Sequence, residues 1–388
     1  MMKKLSWLLA AFAVVVFTQT FAAAQDWDSA ISLYNQKQYR QAAQAFHAVL
    51  KANPNYWQAW YYIGASHYNL QGYEDAIDAF TNYLKSAEKD EKGQAAAHYY
   101  IGFSEYQLKH YDKAIPSLAQ YLTLTEKLQQ KVEPNARAAL GRAYIYTEKY
   151  NEAIPALTAS INELKTNTSN YYYLAYAHQK LAHPDQAITA LNQGLAVEPK
   201  DADLLTMLCE LYLAQSAKNP PMLKQAISVG ERLVAVKDDE TVWRLLGQSY
   251  LVDKQYAKAA PLLDKYARAH TDQSSAWINL GIAYSRSSQW KKAAEALEQA
   301  VKLAPTNVPV MNELGYVYES DKELDKALSV YEKAFQASAQ KDETARQGIE
   351  RVKYLKQQPA TATPQPTTTK KPTPTKPSAT TTSRSGKR

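Results

Sequence analysis

Histidine, cysteine and carboxylate side chains carry most enzyme and metal chemistry, and in this chain none of them stands in a working arrangement. His47, His67, His98, His110, His178, His183 and His270 are scattered along the sequence. The single cysteine, Cys209, excludes a thiolate zinc cluster. No H-E-x-x-H, G-x-S-x-G, Walker loop or G-x-G-x-x-G is present. Acid pairs such as Asp238 and Asp239 read as solvated side chains. The sequence therefore predicts no enzyme, no metal and no cofactor. The residue in excess is tyrosine, with 29 copies against 12 glycines. A phenol offers a broad apolar face, a hydroxyl and little rotamer entropy to lose, so this excess points to recognition rather than reaction.

What must position those rings is a repeated element. Trp243-x-x-Leu246-Gly247-x-x-Tyr250 recurs as Trp277-x-x-Leu280-Gly281-x-x-Tyr284, and more weakly as Met311-x-x-Leu314-Gly315-x-x-Tyr318, each 34 residues on. Trp60-x-x-Ile63-Gly64-x-x-His67 lies upstream. A second signature follows each: Ala42-x-x-x-Phe46, Ala76-x-x-x-Phe80, then Ala114, Ala153, Ala187, Ala226, Ala259, Ala293 and Ala327. With the first residue of a repeat as place 1, places 4, 7, 8 and 11 share one helical face, and places 20, 24 and 27 share another. Each repeat is thus two amphipathic helices. Small residues at places 8 and 20 allow close approach, and large ones at 4, 7, 11 and 24 fill the space between neighbours. Pro54, Pro199 and Pro305 close three of the repeats.

This pattern resembles the tetratricopeptide repeat family, over about residues 23–341. The resemblance implies an all-α, right-handed α-solenoid of about nine helix-turn-helix repeats. They are read as 23–56, 57–90, 95–128, 134–167, 168–201, 202–239, 240–273, 274–307 and 308–341. A capping helix over 342–357 presents Ile349, Val352 and Leu355 on one face. The spacing is uneven. From Gly64 to Gly102 the step is 38, and from Gly102 to Gly141 it is 39; the extra residues fall in Ser86–Gly93 and Thr125–Glu133, where longer loops are expected. The sixth repeat carries an insertion over 217–222 and has Cys209 at place 8, read as a small packing residue. The first repeat has Asp26, Ser29 and Ala30 at its signature places and is expected to face solvent as a terminal copy.

The resemblance also implies that the concave surface is lined by the first helix of each repeat, near places 2, 5, 9, 12 and 13. Those places hold Tyr34 in the first copy, Tyr61, Tyr68 and Asn69 in the second, and Tyr99, Phe103 and Tyr106 in the third. The fourth contributes Arg142 and Tyr146, and the fifth Tyr172, Tyr176 and Lys180. Copies seven to nine offer Arg244, Gln248, Arg286, Asn312 and Tyr316 instead. The expected groove is aromatic in its N-terminal half and polar in its C-terminal half, with Tyr62, Tyr100 and Tyr173 at place 6 read as packing between repeats. Some family members grip a chain-terminal carboxylate with Lys, Asn and Arg. The comparable places here hold Trp27, Ile31, Tyr61, Tyr62, Ala65, Tyr99 and Tyr100, so that clamp is absent.

Residues 1–24 read as a secretory signal: Lys3 and Lys4, an apolar run from Leu5 to Phe17, and Ala22 and Ala24 before the cleavage point. The form is bacterial, and a periplasmic or secreted location follows, with no transmembrane helix in the mature chain. The net charge of +7 is unevenly placed. Residues 358–388 hold six cations and no acid, and without these and the signal lysines the remainder is at −1. That tail, with six Pro and ten Thr, is expected to be disordered and to reach roughly 95 Å if extended. The expected function is a non-enzymatic scaffold or adaptor in the bacterial envelope that binds segments of envelope proteins. The tail either engages anionic envelope polymers or lipid head groups weakly or serves as a solubilising end without a partner, and the near-neutral array disfavours nucleic acid. The competing reading is a polysaccharide- or peptidoglycan-binding module, since tyrosine faces also stack on sugars.

Overall fold

The computed structural model describes residues 26–358. The signal segment and nearly all of the tail lie outside them. Every regular element among the described residues is helical. Helix α1 covers 26–35. It pairs with α2 (Tyr39–Ala52), and the pairs continue as α3 (Ala59–Asn69) with α4 (Tyr73–Ser86), α5 (Glu91–Gln107) with α6 (Tyr111–Lys127), and α7 (Ala136–Tyr146) with α8 (Tyr150–Glu163). Next come α9 (Thr168–Lys180) with α10 (Pro184–Val197), α11 (Ala202–Gln215) with α12 (Pro221–Val234), and α13 (Glu240–Val252), followed by α14 (Tyr256–Ala269). Helices α15 (Ser274–Arg286), α16 (Trp290–Leu303), α17 (Val308–Ser320), α18 (Leu324–Ala337) and α19 (Glu343–Gln357) complete the chain. The architecture is an all-α solenoid. It divides into two compact units, Met1–Gln255 and Tyr256–Arg388. Helices that pack on one another are near neighbours in the chain, the next or the next but one.

Glycine at place 8 has a specific reason. A Cβ on Gly64 would sit 2.7 Å from the Phe80 ring, on Gly102 2.7 Å from Leu118 Cγ, and on Gly281 2.5 Å from Leu297 Cγ. Each glycine admits the place-24 side chain of the partner helix directly against its backbone. The alanines at place 20, from Ala42 to Ala327, are fully buried. The first three repeats then join through aromatic stacking: Phe46 lies on Tyr62 and Phe80 on Tyr100, both at 4.9 Å and nearly parallel. Cys209 fills place 8 of the sixth repeat. It is buried, its Sγ donates to the Ala226 carbonyl at 3.4 Å, and burial pushes the thiol up to about 12. It is an inert packing residue at neutral pH.

Two sequence expectations need correction. The extra residues before the third and fourth repeats do not all enter loops. Asp90 caps α5 by accepting from the Gly93 amide at 2.9 Å, so α5 starts at Glu91 and runs for 17 residues; α6 also runs for 17, into the Thr125–Glu133 stretch. In the first repeat Asp26 and Ser29 are exposed as expected, but Ala30 is fully buried and Trp27 meets Phe46 edge-on at 5.3 Å.

The tight turn inside eight of the repeats places one non-glycine residue in the left-handed region: Lys37, Gln71, Lys109, Glu148, Ala182, Lys254, Ser288 and Lys322, with φ between 58° and 65°. The following amide closes a six-residue ring, as His110 does to the Glu105 carbonyl and His183 to the His178 carbonyl, both at 2.8 Å. A side chain at such φ costs about 1–2 kcal/mol, partly offset by the entropy that glycine loses on folding. Lys109→Gly and Ala182→Gly are each expected to stabilise the fold by about 0.5–1 kcal/mol, read as a raised urea midpoint at unchanged slope. A lowered midpoint in both would contradict this account.

Candidate functional site

The first three repeats form a trough from three cavities that share walls. One, of about 290 Å³, is lined by Trp27, Asp28, Tyr56 and Gln58. The second, about 350 Å³, takes over Trp27 and Gln58 and adds Tyr61, Tyr62, Tyr83, Asp90 and Lys92. The third, about 470 Å³, shares Tyr61, Lys92 and Ala96 and extends to Tyr68, Tyr99, Tyr100, Tyr121, Lys131 and Glu133. Rings from α1, α3 and α5 thus line one continuous depression.

Tyrosine hydroxyls fasten its walls. Tyr83 donates to Asp90 Oδ2 at 2.6 Å, and Tyr121 accepts from the Glu133 amide at 2.7 Å. Each bond ties the segment that lengthens the repeat spacing back onto the repeat before it. Lys92 comes from the first of those segments, and Lys131 and Glu133 from the second or its immediate surroundings. The irregular spacing and the cavity of about 470 Å³ are therefore one feature: the added residues wall the trough.

The rings themselves are firmly seated. Tyr99 packs on Phe103 at 4.6 Å and edge-on to Tyr121 at 5.2 Å, and Tyr61 meets Phe80 and Tyr83 at 5.5 and 5.6 Å. Burial, with neighbouring phenols adding to it, pushes Tyr34 up to about 12 and raises Tyr61 and Tyr99 as well. An unfolded phenol titrates near ~10, so above that pH the unfolded chain releases protons that the folded chain retains. Stability from these groups is full below about pH 10 and is lost as pH rises through the folded values. The melting temperature should be level up to about pH 9 and fall steeply beyond about pH 10, with a shallower fall in Tyr34→Phe. An identical alkaline slope in that variant would count against buried phenols as the cause.

Of the residues singled out from the sequence, Tyr61, Tyr68 and Tyr99 line the trough. Phe103 and Tyr106 continue along the same helix. Tyr106 meets Tyr111 at 5.5 Å, and Tyr111 stacks on Tyr146 at 4.4 Å. Arg142 lies beside these, its Cζ 5.8 Å from the Tyr173 ring centre. Tyr172, Tyr176 and Lys180 form a further group, with Lys180 Nζ 5.2 Å above Tyr176 and Tyr172 edge-on to Tyr173. Asn69 joins none of these groups: it is exposed, and its amide donates to the Ala65 carbonyl of its own helix at 2.7 Å. Trp27, Lys92, Lys131 and Glu133 were missed as lining residues. Trp27 was detectable, since it holds the same place 5 as Tyr61 and Tyr99. Tyr62, Tyr83, Tyr100 and Tyr121 pack between helices and line cavities at once.

Models of the tetratricopeptide repeat family match residues 28–91, 65–127, 168–211, 274–307 and 308–341, together more than half of the chain. Among solved structures the chain is similar to YrrB, described as a TPR protein with an unusual peptide-binding site: 17% identity, 50% of this chain and 98% of that one, TM-score 0.46. It is also similar to MamA from Desulfovibrio magneticus RS-1, at 22% identity over 45% of this chain and 97% of that one, TM-score 0.39. MamA AMB-1 gives 23% identity, 46% and 96% coverage, and a TM-score of 0.40. No curated protein matches the sequence.

Proposed function

Because this chain belongs to the tetratricopeptide repeat family, we propose that it is a non-enzymatic interaction scaffold of the bacterial envelope whose trough holds extended segments of partner proteins. The observation that carries this reading is the walling of the trough by the lengthened inter-repeat segments. Residues added to a regular repeat are not needed to stack it, yet here they help enclose a cavity of about 470 Å³ and present Lys92, Lys131 and Glu133 around five tyrosines. A depression of aromatic faces edged by charges suits a peptide whose apolar side chains lie on the rings while its backbone stays wetted at the rim. The signal-like residues 1–24 support export, and the basic tail supports a second, weak contact with anionic envelope polymers.

The test is site-specific photocrosslinking in envelope fractions, with the crosslinker at Lys92 and, as control, at exposed Lys302 on α16. Protein adducts from position 92 that vanish in Tyr61→Ala/Tyr99→Ala, with helical content intact, support the trough. Equal adducts in that variant would move the site elsewhere. Sedimentation with purified peptidoglycan, undiminished by the double variant and by loss of the tail and without any protein adduct, would replace the protein-binding reading by a glycan-binding one. Recovery of the chain in the cytoplasm with residues 1–24 attached would overturn export.

A further inference from the structure

Beyond the trough, one partly buried arginine among the described residues stands without an anion. Among the described residues three arginines are partly buried, namely Arg137, Arg142 and Arg244. Arg137 bridges Glu126 and Glu163, and Arg244 pairs with Glu210. Arg142 has no carboxylate partner among the described residues. Its Nε donates to the Ala138 carbonyl at 3.3 Å and its guanidinium rests near the Tyr173 ring, which leaves its terminal nitrogens without a protein acceptor. Taking a cation partly out of water without a counter-charge is costly, and a planar guanidinium with free terminal N–H groups is shaped for an oxyanion.

The surroundings supply a second donor. The hydroxyls of Tyr146 and Tyr173 share one hydrogen bond at 2.8 Å. Two hydroxyls own two hydrogens, and this bond uses one, so the other is available to a ligand. Tyr111, stacked on Tyr146 at 4.4 Å, holds that ring in place. Tyr99 in the trough and Tyr106 beside the arginine stand on the same helix, seven residues or about 10 Å apart. An extended peptide covers that distance with about three residues.

We propose that Arg142 and the Tyr146–Tyr173 hydroxyl pair form an anion subsite that takes the carboxylate of an internal Asp or Glu side chain, about three positions from the apolar anchor in the trough. This rests on the peptide-binding reading above. An internal side chain fits better than a chain end, because the aromatic surface continues past the arginine through Tyr172.

The experiment is selection of a random-peptide display library on the full chain, followed by titration of synthetic selected peptides. Peptides bound by the unmodified protein should share an acid about three positions from an aromatic or aliphatic residue. Replacing that acid by its amide should weaken binding by about 10- to 100-fold on the unmodified protein, and by less than about twofold on Arg142→Gln. Arg142→Lys should recover part of the difference. The peptide-side exchange needs no protein variant, so it reads out even where Arg142→Gln folds poorly. Selected peptides with no acid preference, or an amide penalty that persists in Arg142→Gln, overturn the subsite while Tyr99-dependent capture leaves the trough standing. Failure to select any peptide overturns both.

Discussion

Tyr331→Ala should destabilise the C-terminal unit by about 3–5 kcal/mol and release its last helix. Tyr331 is 1% exposed and lies between two glycines of different helices. A Cβ on Gly315 of α17 or on Gly348 of α19 would come within 2.6 or 2.7 Å of its ring. One phenol thus clasps α17, α18 and α19 together. Its hydroxyl also lies 3.3 Å from Glu319 Oε2 and 3.3 Å from Arg351 Nη2, while Arg351 grips Glu319 through two bonds of 2.5 and 2.7 Å. Removing the ring leaves a void that two backbones bound by glycine cannot fill. Urea denaturation gives the magnitude, and limited proteolysis at Arg351 and Lys353 reports the loosened helix. Tyr331→Phe keeps the packing and should lose no more than about 1–2 kcal/mol. Protection of α19 unchanged in Tyr331→Ala would show that Ala345 and Val352, both fully buried, suffice to dock it.

The second large effect concerns binding. Tyr61→Ala with Tyr99→Ala should weaken a trough-bound peptide by at least about 100-fold, since central aromatic anchors contribute about 2–4 kcal/mol each. Both rings are half-buried and also pack, so the double variant loses stability as well. Tyr61→Phe with Tyr99→Phe separates the two effects, because it keeps the faces and removes the hydroxyls. It should bind within about tenfold of the unmodified protein. Loss as large as in the alanine pair would assign recognition to the hydroxyls instead of the ring faces.

The repeat pattern made the solenoid legible because its spacing is dictated by contacts inside each pair. Gly64 needs Phe80 opposite, Gly102 needs Leu118, and Gly281 needs Leu297. Such constraints recur with the repeat and so show in one sequence. The trough was less legible. Lys92 and Lys131 stand far apart in the chain, and only the stacking of α3, α5 and α6 brings them to one cavity. The added residues signalled that something was different there, but not whether they form loop or helix. Asp90 decided that by capping α5, a role set by the fold around it. Place 27 was read as packing for Tyr83 and Tyr121, which is half of what they do. Their hydroxyls reach segments several residues away, and no periodicity marks a bond of that kind.

Helices that touch only their near neighbours carry a kinetic consequence. Almost no contact requires distant parts of the chain to meet, so little loop-closure entropy opposes assembly, and folding can start at any favourable pair and spread outward. Opening proceeds the same way in reverse. Amide exchange should therefore be graded along the chain, with terminal helices exposing their amides at low free-energy cost while interior ones stay closed. The trough lies near one such end, where a partner can meet repeats that open and close on their own without unfolding the rest.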